Sequence, residues 1–580
     1  MDLKAKDAEL LALEQELNRD IDRKLAEKGD DLLWPKACNY IIPNEFGERF
    51  GFYGSKPLFG KYLATFYGLQ HTDITVWTSA YGFLTYFMPM FGAALSDSYL
   101  GKFWTIVDLS IVYGTGTLLL AVLSVPGIAG YGASYLSADA VAAAITAGDP
   151  LPGPYADNRV LPFWTFFLPM LLMAIGAGGI KPCVSAHGGD QYLPNQRKGL
   201  DFFFSVFYVA INAGALISGN STPYMRKYLV CWGASCYFSA YMMCSGVFIV
   251  SMLIFIIGHN SYRIVPPRGV FLPWISLKIT VLGFIRSCTS SRKDTALVTD
   301  KDHKSSFLDW SIPEYGVELV NETRLLGNMV ALLLPLIFFW GVYDQGQNEW
   351  QFQYNMMTPT GIPVEAFGNM NSIFVLLMVP ALVPFYRLLE NMGIRFTILH
   401  RMGVGFSLMT ISYGISWVLQ PMIIAGFQPG ITTTIIANEH VCTDPERCLS
   451  AWWLVPQWFL LSLGESFISP EGLKLTYMNV GPMMKSQSLA LFLLMSGLGS
   501  LFTLIVTKIT EHWTSYNDAT SFRALGSPDG GISMPAKFGF FFATCLVANI
   551  WFILWAKYIF TFRDEAASMT TVKRKIKNAE

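Results

Sequence analysis

Repeated long apolar segments constrain the fold of this chain more than any other feature. A helix needs about 20 apolar residues to cross the hydrocarbon core of a membrane, and about twelve segments of the 580-residue chain qualify. Hydrophobic residues make up 52% of the chain and charged residues 14%, whereas soluble proteins carry roughly 25% charge. The sequence therefore predicts an all-α membrane protein. The predicted spans cover residues 38–66, 74–96, 103–125, 161–185, 200–221, 236–258, 327–347, 369–389, 396–425, 451–478, 486–508 and 537–561.

A polar stretch divides these spans into two groups of six. We predict a cytosolic N-terminal segment over 1–35, a first six-helix half over 36–258 and a cytoplasmic central loop over 259–326. The second six-helix half covers 327–563, and a cytosolic basic tail follows over 564–580.

A short repeat relates the two halves. Residues 97–103 (DSYLGKF) follow the second span, and residues 390–396 (ENMGIRF) follow the eighth. Each places a basic residue five positions after an acid, and phenylalanine comes next. Two halves of six helices with matching loops indicate a major-facilitator fold, in which the halves rock around a site at the middle of the membrane.

The distribution of basic residues predicts the orientation. The central loop contains nine Lys and Arg residues, whereas loops 126–160, 348–368 and 427–450 contain two between them. Loops rich in Lys and Arg stay on the cytoplasmic side. We therefore expect both termini and the central loop in the cytosol, and a multi-pass protein of the plasma membrane.

Two cysteines, Cys442 and Cys448, lie in a polar loop that this orientation places outside the cell. If the loop lies in that oxidising compartment, a local disulfide between them is one interpretation. Two free thiols are the alternative.

The first span carries an unusual group of charges. The sequence NEFGERFGFYGSK over 44–56 puts Glu45, Glu48, Arg49 and Lys56 close to one face of a helix. Charges inside a membrane must be paired or lie in a wet cavity. A carboxylate beside an arginine stays ionised, and a desolvated carboxylate can take up a proton, as a proton-driven carrier requires. A static ion-pair cluster is the alternative.

Several motifs resemble those of the proton-dependent oligopeptide transporter family. ExxERF over 45–50 is similar to its first-span signature, and GGIKPCVSAHGGDQY over 178–192 is similar to its fourth-to-fifth-span signature. The resemblance continues in FFSVFYVAINAG over 203–214, FWGVYDQ over 339–345 and VPQWFLLSLGE over 455–465. It covers the whole membrane core and implies the major-facilitator fold.

The resemblance implies roles for individual residues. Glu45 and Glu48 would be proton-coupling carboxylates, with Lys181 as their partner and Asp344 as a further titrating acid. Ordinary helix packing is the alternative for Tyr86 and Trp340. The implied substrate contacts are Arg49 and Lys56 for a peptide carboxylate, Tyr53, Tyr86 and Tyr208 for ring and hydroxyl contacts, Asn212 for the peptide backbone and Trp340 for a side-chain pocket.

The tenth span departs from the family pattern. Lys474 stands where we expect the family's glutamate for a peptide amino group, and a lysine cannot bind an ammonium ion. Glu471, one turn earlier, would either restore that contact or neutralise Lys474 through an i,i+3 pair.

The resemblance implies proton-coupled symport of di- and tripeptides by alternating access, driven by a proton gradient without a cofactor. A carrier of the same fold for nitrate or a small organic anion is one alternative, and a non-transporting peptide sensor is another. The expected partners are a small peptide, protons and the lipid bilayer. A net charge of −1 gives no support to nucleic-acid binding. No hydrolase triad or metal-ligand cluster stands out in the sequence, so we expect neither an enzyme nor a metal site.

Overall fold

The computed structural model describes most of the chain, and the predicted basic tail lies outside the described residues. The described residues are 3–29, 33–67, 69, 71–125, 128, 161–193, 196–231, 234–267, 272–289, 306–358, 360–394, 396–426, 433–436, 439–442, 446–478, 485–509 and 535–558.

The first half of the chain is helical, with one small hairpin. Its helices are α1 (Leu3–Lys28), α2 (Cys38–Ser55), α3 (Phe59–Tyr67), α4 (His71–Leu95), α5 (Gly101–Leu123), α6 (Trp164–Gly189), α7 (Arg197–Tyr228) and α8 (Tyr237–Ile257). The antiparallel strands β1 (Val230–Cys231) and β2 (Ala234–Ser235) form the hairpin.

The second half follows a helical linker. The linker contains α9 (Leu272–Thr289) and α10 (Ile312–Tyr315). The helices of the second half are α11 (Val317–Leu333), α12 (Leu336–Asn355), α13 (Val364–Gly368), α14 (Met370–Asn391), α15 (Ile398–Gly426), α16 (Val455–Met478), α17 (Lys485–Ile509) and α18 (Pro535–Tyr558). The antiparallel strands β3 (Thr433–Ile436) and β4 (Glu439–Cys442) connect α15 with α16.

Close contacts show that α5 and α6 run antiparallel. Gly116 of α5 faces Met173 of α6, and a Cβ at Gly116 would lie 2.8 Å from the Met173 backbone nitrogen. Gly176 of α6 faces Tyr113, where a Cβ would lie 2.5 Å from the tyrosine Cβ. Glycine permits these approaches because helices pack closely where side chains are small.

Helix α4 also packs on α6, and these two helices run parallel, whereas α5 and α6 run antiparallel. Gly178 faces Thr85, and further along both helices the Cys183 thiol donates to the Gly92 carbonyl at 3.5 Å. The chain reverses between α4 and α5 at Gly101, whose φ of +74° favours glycine. The continuous helical segment Asp73–Leu123 therefore crosses the membrane twice.

The number of spans agrees with the sequence prediction. Within the described residues, eight segments are long and apolar enough to cross a membrane, and a ninth is the pair Leu319–Leu333 and Leu336–Asn355, bent by 46°. The bend lies at Pro335, which has no backbone N–H to continue the ladder. The segment that contains α4 and α5 crosses twice and therefore counts as two spans. The more polar α2–α3 and α16 add one span each, which brings the number to about twelve. The predicted all-α membrane fold is confirmed.

Two separate hydrophobic clusters form the core. One extends from Ala37 to Tyr262, and the other extends from Leu326 to Phe552. Between the two halves, Lys56, which directly follows α2, pairs with Asp344 of the second half.

Helix α1 packs on one end of the bundle, which we call the α1 end. The Asn18 side chain donates to the Ile264 carbonyl at 2.6 Å and accepts from its N–H at 2.9 Å. Asp22 pairs with Arg263 at 2.5 Å, and Gln196 donates to the Leu25 carbonyl at 3.0 Å. We call the opposite end, which carries the β3–β4 hairpin, the far end.

Two disulfides lie at the far end. Cys442 and Cys448 are bonded, which decides between the two alternatives that the sequence left open. Cys231 and Cys236 are also bonded across the β1–β2 hairpin, a pairing that the sequence analysis missed.

Candidate functional site

The candidate site lies between the two hydrophobic clusters, and we call it the central site. Helices α2, α4, α6 and α7 contribute from the first half, and α12, α14 and α16 contribute from the second. Most of its charged side chains are almost completely buried, although they belong to spans that cross a membrane. The residues of the central site are Glu45, Glu48, Arg49, Tyr53, Lys56, Tyr86, Lys181, Tyr208, Trp340, Tyr343, Asp344, Asn371 and Glu465.

Arg49 holds both carboxylates of α2. Its Nε lies 2.8 Å from Glu45 Oε1 and 3.2 Å from Glu48 Oε2. Both glutamates are 1% exposed. The spacing of three and four residues brings these groups together on one helical face. Two buried acids sharing one arginine leave an excess negative charge, which a proton or a cation can neutralise.

Lys181 lies within electrostatic reach of Glu45 and Glu48 but makes no direct ion pair with either of them among the described residues. Its Nζ lies 4.2 Å from the ring centre of Phe52 and 4.1 Å from that of Tyr86. The ammonium donates no hydrogen bond to the described residues and is 5% exposed. Contact with two ring faces compensates part of its desolvation.

Lys56 and Asp344 connect the two halves of the bundle. The Lys56 Nζ lies 3.2 Å from Asp344 Oδ1. Lys56 directly follows α2, and Asp344 lies in the middle of α12. Both side chains are largely buried, so the pair is screened less by salt than a surface pair.

Glu465 of α16 is the principal residue that the sequence analysis did not assign. Asn371 donates to its Oε2 at 2.9 Å and also to the Tyr343 hydroxyl at 2.7 Å. The Ser462 hydroxyl in turn donates to the side-chain oxygen Oδ1 of Asn371 at 2.5 Å. An acid inside an apolar span marks a functional position by default, so the sequence did contain the signal.

Aromatic residues surround Glu465. Tyr53, Tyr86 and Tyr208 lie within electrostatic reach of its carboxylate. Trp340 packs edge-on against Tyr343 with ring centres 5.3 Å apart.

Asn212 uses its amide within its own helix. Its Nδ2 donates to the Tyr208 carbonyl at 2.8 Å, one turn earlier in α7. Its carbonyl oxygen is the group left to face a ligand.

The predicted contacts from Glu471 and Lys474 lie outside the central site. Glu471 pairs with Arg401 of α15 at 2.6 Å instead of Lys474. Lys474 is exposed, and it follows Glu465 by nine residues, a rotation of about 180° around a helix. Its side chain therefore points away from Glu465, and the roles of Glu471 and Lys474 in substrate binding stay predictions.

Polar contacts also join the halves at the far end. Arg226 of α7 pairs with the buried Glu365 at 3.1 Å, and Lys508 pairs with Asp73 at 3.3 Å on the surface. Asn369 donates to the Leu216 carbonyl at 3.3 Å. These contacts close the far end around the central site.

Among the described residues, no group of three His, Cys, Asp or Glu side chains could hold a metal ion.

The chain is similar to known membrane carriers. The profile of the POT family matches residues 103–522. Solute carrier family 15 member 1 of Canis lupus familiaris is 32% identical over 394 residues, which are 67% of this chain and 52% of that protein. Peptide transporter family 1 of Drosophila melanogaster is 36% identical over 326 residues, 56% of this chain and 39% of that protein. The chain thus spans about half the length of the curated relatives it matches.

Solved structures share the fold. An auto-inhibited POT family peptide transporter superposes with a TM-score of 0.66 at 21% identity, covering 92% of this chain and 98% of that one. A POT family transporter in complex with 5-aminolevulinic acid gives a TM-score of 0.61 at 16% identity, covering 91% and 97%.

Proposed function

Because the chain belongs to the POT family, we propose that it carries di- and tripeptides across a membrane by proton-coupled symport with alternating access. It would act as a carrier and not as an enzyme, and the proton gradient would take the place of a cofactor. Relatives named as peptide transporters support the proposal.

The opposite charges of the central site are the observation that carries this proposal. Lys181, Lys56 and Arg49 provide positive charge on the first half, and Glu465 provides negative charge on the second. A peptide is a zwitterion with its two charged ends several ångströms apart. Its carboxylate would meet Lys181, which has no hydrogen-bond partner among the described residues, and its ammonium group would meet Glu465.

Proton coupling would use the two cation–carboxylate groups of the site. Protonation of Asp344 removes the charge that attracts Lys56, and this releases a link between the halves. A substrate carboxylate near Lys56 or Lys181 favours the same release by competing for the cation. Proton and substrate are then linked because each changes the free energy of the other's site. Protonation of both Glu45 and Glu48 would likewise free Arg49, which pairs with each of them.

An anion carrier is the second candidate. The unpartnered ammonium of Lys181 near Arg49 and Lys56 favours a small anion such as nitrate. Glu465 opposes it, because a buried carboxylate repels an anion in a site of low dielectric. Lys474, whose charge would have favoured an anion, faces away.

The α1 end is proposed to be cytoplasmic. Arg263, in the described part of the basic central loop, pairs there with Asp22 of α1, and the positive-inside rule favours a cytoplasmic location for that loop. The far end, with its two disulfides, would then face the oxidising exterior of the plasma membrane. The functional halves are proposed as residues 36–258 and 327–563.

Uptake into proteoliposomes tests the proposal. Radiolabelled dialanine should accumulate when the outside is acidic, and a protonophore should abolish accumulation. Nitrate should neither accumulate nor compete. Accumulation of nitrate without competition by any dipeptide would support the anion carrier instead.

A further inference from the structure

A second cavity, of about 260 Å³, lies at the α1 end. It is lined from the first half by Ala93 of α4, from the linker by Leu277 of α9, and from the second half by Val330 of α11 and Leu491 of α17. No residue of the central site lines it. Ala93 follows Tyr86 by two helical turns, which places the cavity about 10 Å further toward the α1 end.

One polar side chain in this cavity lacks a partner. Gln487 of α17 lines the cavity and is 8% exposed. Neither its Nε2 nor its Oε1 makes a hydrogen bond within the described part of the chain. Burying an amide without a hydrogen-bond partner costs free energy. A ligand that forms a hydrogen bond with Gln487 would remove this cost.

Large apolar residues beside the cavity are exposed. Trp274, Leu277 and Phe284 share one face of α9 and are 52%, 52% and 61% exposed. The basic residues Lys278 and Arg286 belong to the same helix. Large apolar side chains exposed together on one face of a helix mark a surface for contact with a membrane or a protein, and we assign this face to the acyl chains of the bilayer. Since Leu277 belongs both to this face and to the cavity lining, the cavity adjoins the bilayer.

We propose that the cavity binds one acyl chain of a membrane phospholipid, whose ester carbonyl accepts a hydrogen bond from Gln487 Nε2. The bound chain contacts both halves and the linker at once. It therefore stabilises the arrangement of the halves seen here, as any ligand stabilises the state that it binds. This inference concerns a lipid site and does not rest on the transported substrate.

Photolabelling of the reconstituted full-length protein tests the site. The probe is phosphatidylcholine with a diazirine in one acyl chain, and labelled peptides are identified by mass spectrometry. We expect enriched labelling around Leu277, Val330 and Leu491 relative to the outer faces of α8 and α14. Uniform labelling of all lipid-facing helices would overturn the proposal.

Two glycine substitutions make a matched pair for this test. A Cβ at Gly327 or at Gly246 would meet no atom within 4 Å, but only Gly327 lines the cavity. Gly327→Leu fills the cavity and displaces about two methylene groups of the lipid, so labelling there should fall about tenfold. Gly246→Leu on α8 should leave it unchanged. Unchanged labelling in Gly327→Leu would overturn the proposal.

Gln487→Leu tests the hydrogen bond separately. The wild type should prefer the ester phospholipid over its ether analogue by about three- to tenfold, and the variant should lose this preference. Elution as a single species checks that each variant is folded. If Gly327→Leu fails this check, the ester–ether comparison in the wild type decides the matter, and an absent preference overturns the proposal. Stronger labelling by a photoreactive free fatty acid than by phosphatidylcholine would overturn the phospholipid assignment.

Discussion

Lys56 and Asp344 form an ion pair across the two halves of the bundle, with Nζ and Oδ1 3.2 Å apart. The pair lies next to the Arg49–Glu45–Glu48 cluster on the same side of α2. Helix α2 and the residue that follows it therefore present two different cations. Arg49 is paired within its own half, and Lys56 is paired with the other half. A change of charge at Asp344 affects how the halves meet, whereas a change at Glu45 or Glu48 first affects α2.

Asp344→Asn should uncouple transport from the proton gradient. The variant cannot be protonated at this position, and it loses an interaction of charged groups worth about tenfold to a hundredfold in an equilibrium. We expect gradient-driven dipeptide uptake to fall by at least that lower factor, with exchange of dipeptide across the membrane retained. Glu365→Gln at the far end is the control for loss of a contact between halves. Undiminished uptake in Asp344→Asn would exclude this acid from coupling.

Glu48→Gln should also remove proton-driven uptake while counterflow stays measurable. Arg49 keeps Glu45 as a partner at 2.8 Å, so the cluster retains an ion pair and the helix remains folded. The measurement is the pH dependence of uptake and of counterflow in the same proteoliposomes. A pH profile identical to that of the wild type would show that the proton is carried elsewhere.

The sequence predicted the helices and the charged face of α2, because both depend on local periodicity. It did not predict that Lys181 contacts the rings of Phe52 and Tyr86, since that contact joins residues of three different spans. Tertiary packing determines such neighbours, and no spacing in the chain encodes them directly.

The omission on α16 had a different cause. The motif comparison assigned the ammonium contact to the end of the helix, at Glu471 and Lys474, and passed over Glu465. Helical geometry alone would have separated Glu465 from Lys474, which lie about 180° apart. The neighbours Asn371 and Tyr343 show that Glu465, and not Lys474, points into the central site. Both neighbours belong to other helices, so the sequence of α16 does not reveal them.

Cysteine labelling should establish the orientation. Asp73 lies at the far end in an exposed pair with Lys508, which contributes at most about 1 kcal/mol, so Asp73→Cys should fold normally. In a Cys288→Ser background, this cysteine should react with an impermeant maleimide in intact cells. The native Cys288 of α9, which is exposed, should react only after permeabilisation. The reverse pattern would place the α1 end outside.

Glu465→Gln should weaken the binding of dipeptides through their amino group. The carboxylate is held by Asn371 at 2.9 Å, so its position is fixed before a ligand arrives. Loss of a buried interaction between charged groups should lower dipeptide affinity about ten- to a hundredfold. Binding of an N-acetylated dipeptide, which has no ammonium group, should change little.

Glu471→Gln is the matched control for this prediction. Glu471 lies six residues further along the same helix and pairs with Arg401 outside the central site. Its loss should lower the melting temperature without changing the ratio of affinities for free and acetylated dipeptide. That ratio is measured by competition binding in detergent. If Glu471→Gln changes the ratio and Glu465→Gln does not, the ammonium group binds at the end of α16, and the assignment made from the geometry of Glu465 is wrong.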